Sequence, residues 1–346
     1  MTDVAVEPVA PPAREHGWAR PTIGLALLLF VPLTPMLRML LPVDQTVVLF
    51  VPALAACALV GWTRGGRPMV AVLWTALAAW VLWTFAASTG TFGSLVGGWS
   101  LLLAAAFGAT AAWNGSGEAR SFLPRALASI GLALGLGGLV AAIAPGGTTA
   151  LRQTMTTELG ARGDTTLARW HAMTATPDWQ ELIVKNPDTA PLIGQMEKQM
   201  EAIPPVALIL YPALLALESL AALALAWGLY HRLGRARLGP PLAPLRDFRF
   251  SDQLVWGLIA GLVIAVLPGL SALDSLGYNL LVFFGTLYAL RGMGIALWFL
   301  APGRLVMALL IAFSVLFLNV VGVLALRLGL GDTWLDWRRR ASRQKS

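Results

Sequence analysis

The stretch that decides the fold runs from Leu242 to Leu300. It opens as Leu242-Ala-Pro-Leu-Arg-Asp-Phe-Arg-Phe250, a short basic connector. An apolar tract follows from Leu254 to Leu267, then a turn near Pro268 and Asp274, then a second apolar tract from Leu276 to Leu300. A helix needs about 20 apolar residues to cross roughly 30 Å of hydrocarbon. The second tract has that length, yet it carries Asn279 near its start and Arg291 well inside. A polar or charged side chain at such depth turns inward to a partner, to water or to a binding site.

Outward from this stretch the same pattern repeats. Of 346 residues 57% are hydrophobic and 12% are charged, against about 25% charged in an ordinary soluble domain. Apolar runs cover Thr22–Leu41, Val47–Trp62, Val70–Ala87, Trp99–Trp113, Ala126–Ala144, Val206–Tyr230 and Leu305–Leu326. Pro32 and Pro35 interrupt the first run, which reads as bent or partly re-entrant, and Arg38 near its end can snorkel to the interface. Between Ala87 and Trp99 lies an uncharged Gly/Ser/Thr stretch, Ser88–Gly98, that reads as a turn on the outer side. In the fifth run Gly131 and Gly135 stand four apart, as do Gly257 and Gly261 later, a spacing that lets helices approach closely.

The net charge of +7 resides largely in short loops and in the tail. That is the pattern of orientation signals and not of a nucleic-acid site. Arg64/Arg67, Arg120/Arg125 and the segment Arg232–Arg249 then mark the cytoplasmic side, and the N-terminus falls inside. The tail containing Arg338–Arg340 raises a conflict, because the number of apolar runs after Arg249 would carry it outside. A break in the last tract near Asn319 and Gly322 would resolve the parity, with the tail cytoplasmic.

The one sizeable polar insertion is Pro145–Pro204. Leu151, Met155 and Leu159 recur every four residues, and Leu192, Met196, Met200 and Ile203 share a face. Thr176-Pro177-Asp178 is a helix start with Pro at its first position, and Asp188–Pro191 is another. The insertion is expected to form amphipathic helices on the outer face.

The expected fold class is all-α: a polytopic transmembrane helix bundle of about eight to ten segments with an amphipathic extracytoplasmic insertion. The segments divide into a disordered tail (1–20), N-terminal membrane helices (21–144), the insertion (145–204), C-terminal membrane helices (205–330) and a basic tail (331–346). The expected location is the inner (plasma) membrane, multi-pass.

The site chemistry is sparse. Cys57 stands alone and His16, His171 and His231 are far apart, so no metal site is expected. No phosphate-loop motif, nucleophile with a matching base or cofactor fingerprint occurs, and an enzyme is not expected. Glu218 sits near the centre of its run, where an unpaired carboxylate costs on the order of 3 kcal/mol. Glu218, Arg291 and Asn279 are therefore the candidate intramembrane polar site. In one reading they line a cavity for a small molecule under the insertion, with any energising ATPase on a separate chain. In the other, Glu218 and Arg291 pair to fix helix register in a non-catalytic scaffold subunit of a cell-envelope assembly. Expected partners are the lipid bilayer and, at the basic 231–250 connector, a cytoplasmic protein or anionic lipid; no nucleic acid is expected.

The stretches Arg249-Phe-Ser-Asp-Gln-Leu-Val-Trp256, Tyr278-Asn-Leu-Leu-Val-Phe-Phe-Gly-Thr-Leu-Tyr-Ala-Leu-Arg-Gly292 and Gly329-Leu-Gly-Asp-Thr-Trp-Leu-Asp-Trp-Arg-Arg339 carry a family likeness. In them the chain resembles the YybS-like family of bacterial multi-spanning membrane proteins, domain of unknown function 2232. The family often has Gln where this chain has Arg291. The resemblance implies the order of parts given above but no activity. The N-terminal half is also loosely similar to the substrate-binding components of energy-coupling-factor transporters and to rod-shape-determining membrane subunits.

Overall fold

The computed structural model describes residues 42–113 and 121–343, with four isolated positions before them. The expected disordered tail, most of the Thr22–Leu41 run, residues 114–120 of the fourth loop and the last three residues lie outside the described residues. Among the described residues every regular element is helical. The helices are α1 (Val43–Thr63), α2 (Pro68–Ala112), α3 (Phe122–Ile143), α4 (Gly147–Thr174), α5 (Pro177–Lys185), α6 (Thr189–Leu233), α7 (Val255–Val266), α8 (Asp274–Leu300), α9 (Arg304–Leu316), α10 (Leu318–Leu335) and α11 (Trp337–Arg343). Among the described residues six helical stretches are long and apolar enough to cross a membrane: α1, α2, α3, α6, Pro268–Leu300 and α10. Two shorter apolar helices accompany them, Asp252–Val266 and Leu305–Ser314. The all-helical, multi-pass membrane class read from the sequence is thus observed.

The chain forms two compact units. One draws on Leu41–Ala144 and Ser219–Leu242, the other on Pro145–Glu218 and Ala243–Ser346. Helix α6 contributes its end to the first and its beginning to the second.

In the first unit α2 is a helical hairpin. Gly90 has φ 61 and ψ −131, a backbone region open to glycine alone. The chain doubles back there, so that a side-chain carbon on Gly93 would lie 2.9 Å from the Phe85 carbonyl and one on Gly97 would meet Leu82. The expected turn Ser88–Gly98 is therefore compressed to a single residue inside otherwise helical chain. Ser88 and Thr89 donate to the Phe85 carbonyl and Ser94 to that of Gly90, which satisfies backbone groups at the reversal. Helix α1 packs on both arms: Ala55 and Val51 meet Ala78, and Ser100 donates to the Val48 carbonyl at 2.6 Å. Phe107, Phe122 and Trp227 form a triangle of rings with centroids 5.9–6.1 Å apart at the core.

The basic loops of this unit do more than orient the chain. Arg64 donates to the Ala111 carbonyl at 2.6 Å and to that of Leu238, and buried Arg125 donates to the Leu238 carbonyl at 3.1 Å. Ala111 lies in the last turn of α2, where carbonyls lack helical partners and cations are favoured. The small-residue stripe at Gly131 and Gly135 meets no neighbour among the described residues, contrary to expectation, with none within 4 Å of a side chain added there.

In the second unit α4 folds back along the start of α6. Gly163 abuts Pro204, and His171 contacts Glu197 at 2.6 Å. Met155, Leu159, Trp170 and Met200 are buried between the insertion's helices, while Leu192 and Met196 are exposed. Thr176 and Thr189 mark the expected helix starts. The expected boundary at Pro204 is absent, because α6 runs unbroken from Thr189 to Leu233 with Pro204, Pro205 and Pro212 inside it. Helices α7 and α8 pack antiparallel through glycine. A side chain at Gly257 would strike Phe284, and one at Gly261 would lie 3.0 Å from the Gly277 carbonyl. The last apolar tract divides at Phe317 (φ −115, ψ 40), two residues before the expected Asn319.

Candidate functional site

Backbone contact between α8 and α10 builds the site. A side-chain carbon on Gly292 would collide with the Ala325 carbonyl, and one on Gly329 with the Tyr288 carbonyl. Two glycines facing one another thus bring the helix axes together and set Asp332 beside Arg291. Arg291 donates Nε to Asp332 Oδ2 at 3.1 Å, and its Nη2 lies 3.0 Å from the same oxygen in an ion pair. Its Nη1 reaches Asp252 Oδ1 at 2.6 Å. Arg338 Nη2, arriving from α11, shares Asp332 Oδ2 at 3.2 Å. Arg338 also donates to the carbonyls of Arg246 and Phe248, tying the tail to the connector.

The cluster is balanced: two guanidiniums face two carboxylates. Asp332, Arg338 and Arg291 have side-chain exposures of 1%, 3% and 6%, whereas Asp252 is 60% exposed at the rim. Coulomb attraction is strong where water is excluded, and pairing is what allows such charges to be buried at all. The Phe250 ring lies 5.4 Å from the Arg291 guanidinium and packs edge-on against Tyr288. Burial pulls the Arg338 guanidinium below its ordinary value, and the charge of Arg249 acts in the same direction, while Asp332 opposes both. Ser251 opens the turn that carries Asp252, its hydroxyl accepting from the Gln253 amide at 3.4 Å, as its capping sequence suggests.

Asn279 has a different task. Its Oδ1 accepts from the Ala213 amide at 2.7 Å, and its Nδ2 donates to the Ile209 carbonyl at 2.7 Å and the Ser275 carbonyl at 2.6 Å. Ile209 and Ala213 are one turn apart on α6, and Pro212 lies between them. Proline perturbs the helical ladder, and in a membrane the freed backbone groups need partners from a neighbouring helix. Asn279 is that partner.

The expected Glu218–Arg291 pair does not form among the described residues. Glu218 is buried on α6, but the carboxylates on Arg291 are Asp252 and Asp332. The three predicted residues do not converge on one site. Asp332, Asp252 and Arg338 are the members that the sequence reading left out. Their signal was present: Asp332 lies at the end of an apolar run, as an acid able to answer the arginine in the preceding run.

The three stretches of family likeness meet here. Arg249–Trp256 supplies Asp252, Tyr278–Gly292 supplies Arg291 and Gly292, and Gly329–Arg339 supplies Gly329, Asp332 and Arg338. Residues 172–333 match the family described as "Predicted membrane protein (DUF2232)". The match spans just under half of the chain and takes in most of the charged cluster. No curated protein and no solved structure matches the chain. The matched stretch contains Asn279, Arg291, Asp252 and Asp332, while Arg338 lies a few residues beyond it.

Proposed function

We propose that this DUF2232-containing protein is a non-catalytic structural subunit of the inner (plasma) membrane, acting through the charged face around its connector and tail. The observation that carries this reading is the complete engagement of Arg291. All three of its nitrogens hold carboxylates of its own unit. Asn279 is likewise engaged by backbone groups of α6 and α8. Both residues therefore act as internal fasteners and not as solute ligands.

Around the buried cluster lies a rim of exposed charges of both signs: Arg246, Asp247, Arg249 and Asp252. Paired rim charges contribute little to stability, and mixed-charge surfaces instead steer association and select partners. The proposed docking face is this rim. Contact of Arg338 with the Arg246 and Phe248 carbonyls supports a common membrane side for tail and connector. With the basic connector inside, the tail would be inside too, in keeping with a break in the last apolar tract.

Photo-crosslinking in cells tests the reading. A photoreactive residue in place of Arg246 or Arg249 is expected to give one discrete protein adduct, and the same probe on exposed Trp83 none. A solute-carrier role, the other expectation, predicts no such adduct and a small molecule retained by the purified protein in native mass spectrometry.

A further inference from the structure

At the other unit, the turn after α1 and the end of α6 enclose a small crevice lined by Gly61, Trp62, Arg67, Val70, Leu233 and Arg235. Both arginines are exposed, and among the described residues neither guanidinium has a hydrogen-bonding or ion-pairing partner. This sets them apart from Arg64 and Arg125, which are engaged by carbonyls. The crevice is fixed in place. Gly61 leaves room for the Tyr230 ring, whose hydroxyl donates to the Ala236 carbonyl at 2.9 Å, and the Gly234 amide donates to the Tyr230 carbonyl. The loop bearing Arg235 is thereby held against the turn bearing Arg67. Arg67 also precedes Pro68 at the start of α2, where the helix dipole favours an anion. Large apolar side chains stand exposed beside the two charges: Trp62 at 50%, Met69 at 83% and Leu233 at 42%.

We propose that this crevice binds the phosphate of an anionic phospholipid, with Arg67 and Arg235 on the headgroup and Trp62, Met69 and Leu233 against its acyl chains. The combination is selective for a lipid: the arginines supply forked donors for phosphate oxygens, and the adjoining apolar surface has no use for a soluble anion. Tryptophan at the rim is at home at the headgroup level of a bilayer. The inference rests on the membrane location of the chain and is independent of the scaffold reading.

The test uses the full-length protein in detergent, titrated with phosphatidylglycerol or phosphatidylcholine and read by native mass spectrometry. Wild type is expected to bind phosphatidylglycerol in preference. Arg67→Gln with Arg235→Gln is expected to weaken it about thirty-fold, from about 1 kcal/mol for each basic residue at an anionic surface. Lysine at both positions is expected to recover only part of the binding, since it restores the charge without the fork. Arg152→Gln with Arg169→Gln, which removes as much charge from exposed positions in the insertion, is expected to leave it unchanged. Millimolar inorganic phosphate is expected not to displace the lipid. Undiminished binding in the Arg67/Arg235 glutamine pair, an equal loss in the Arg152/Arg169 pair, or displacement by inorganic phosphate would each overturn the proposal.

Discussion

Asp332→Asn isolates what the buried cluster does. The carboxylate is 1% exposed and its Oδ2 receives donors from both Arg291 and Arg338. Asparagine keeps the shape and removes the charge, leaving two guanidiniums close together with Asp252 alone to answer them, from the rim. Removing one partner of a buried ion pair costs about 3–5 kcal/mol, because the remaining charge is left uncompensated. Asp252→Asn is the matched control. Its side chain is 60% exposed, so screening by water limits the loss to about 1 kcal/mol or less. Thermal unfolding in detergent, followed by tryptophan fluorescence, gives the comparison, and Trp334 and Trp337 flank the cluster in sequence as local reporters. Asp332→Asn should melt well below Asp252→Asn, which should stay near wild type. Equal melting of the two variants would refute the argument from burial.

Asn279→Leu should destabilise by about 1–3 kcal/mol by leaving backbone groups of Ile209 and Ala213 unpaired in an apolar setting. Adding Pro212→Ala, which restores an amide to that turn, should recover part of the loss in the same melting assay. Gly90→Ala should cost about 1–3 kcal/mol through its positive φ, whereas Gly131→Ala, in an open helical position, should be neutral or stabilising by up to about 1 kcal/mol. Gly292→Ala should separate α8 from α10 and lower the melting point together with the resistance of Trp337 to quenching by iodide. Cys57, 1% exposed in α1, should resist a soluble maleimide until the protein is unfolded in dodecyl sulfate.

The helical membrane class was legible because its cause is local: uninterrupted apolar length and few charges need no knowledge of neighbours. Helix starts at Thr176 and Thr189 were legible for the same reason, since proline in the first turn favours a start from within a few residues. What the sequence did not disclose was pairing across the unit. Arg291 reads as an intramembrane charge in need of a partner, and the acid expected for it was Glu218 in an earlier apolar run, whereas the acid that meets it is Asp332 beyond the following one. The choice between them is made by the glycine contact of α8 with α10, a feature of two backbones that neither segment displays alone. Asn279 was found as a polar residue at depth, but its role depends on Pro212 in another helix. The proline pair at 204 and 205 suggested a boundary, yet α6 continues through it. Propensity lost there to the packing of α4 on the same turn, where Gly163 makes room for Pro204.

On the proposed reading the buried charges fasten the fold and do not handle a solute. Arg291→Met, Asp332→Leu and Arg338→Met, combined in one variant and expressed in a strain lacking the native protein, test it most directly. Replacing a buried ionic cluster by apolar groups of similar volume is often neutral or stabilising. The variant is expected to fold and to restore the wild-type phenotype of the strain. A variant that reaches the membrane, melts like wild type and fails to restore that phenotype would contradict it.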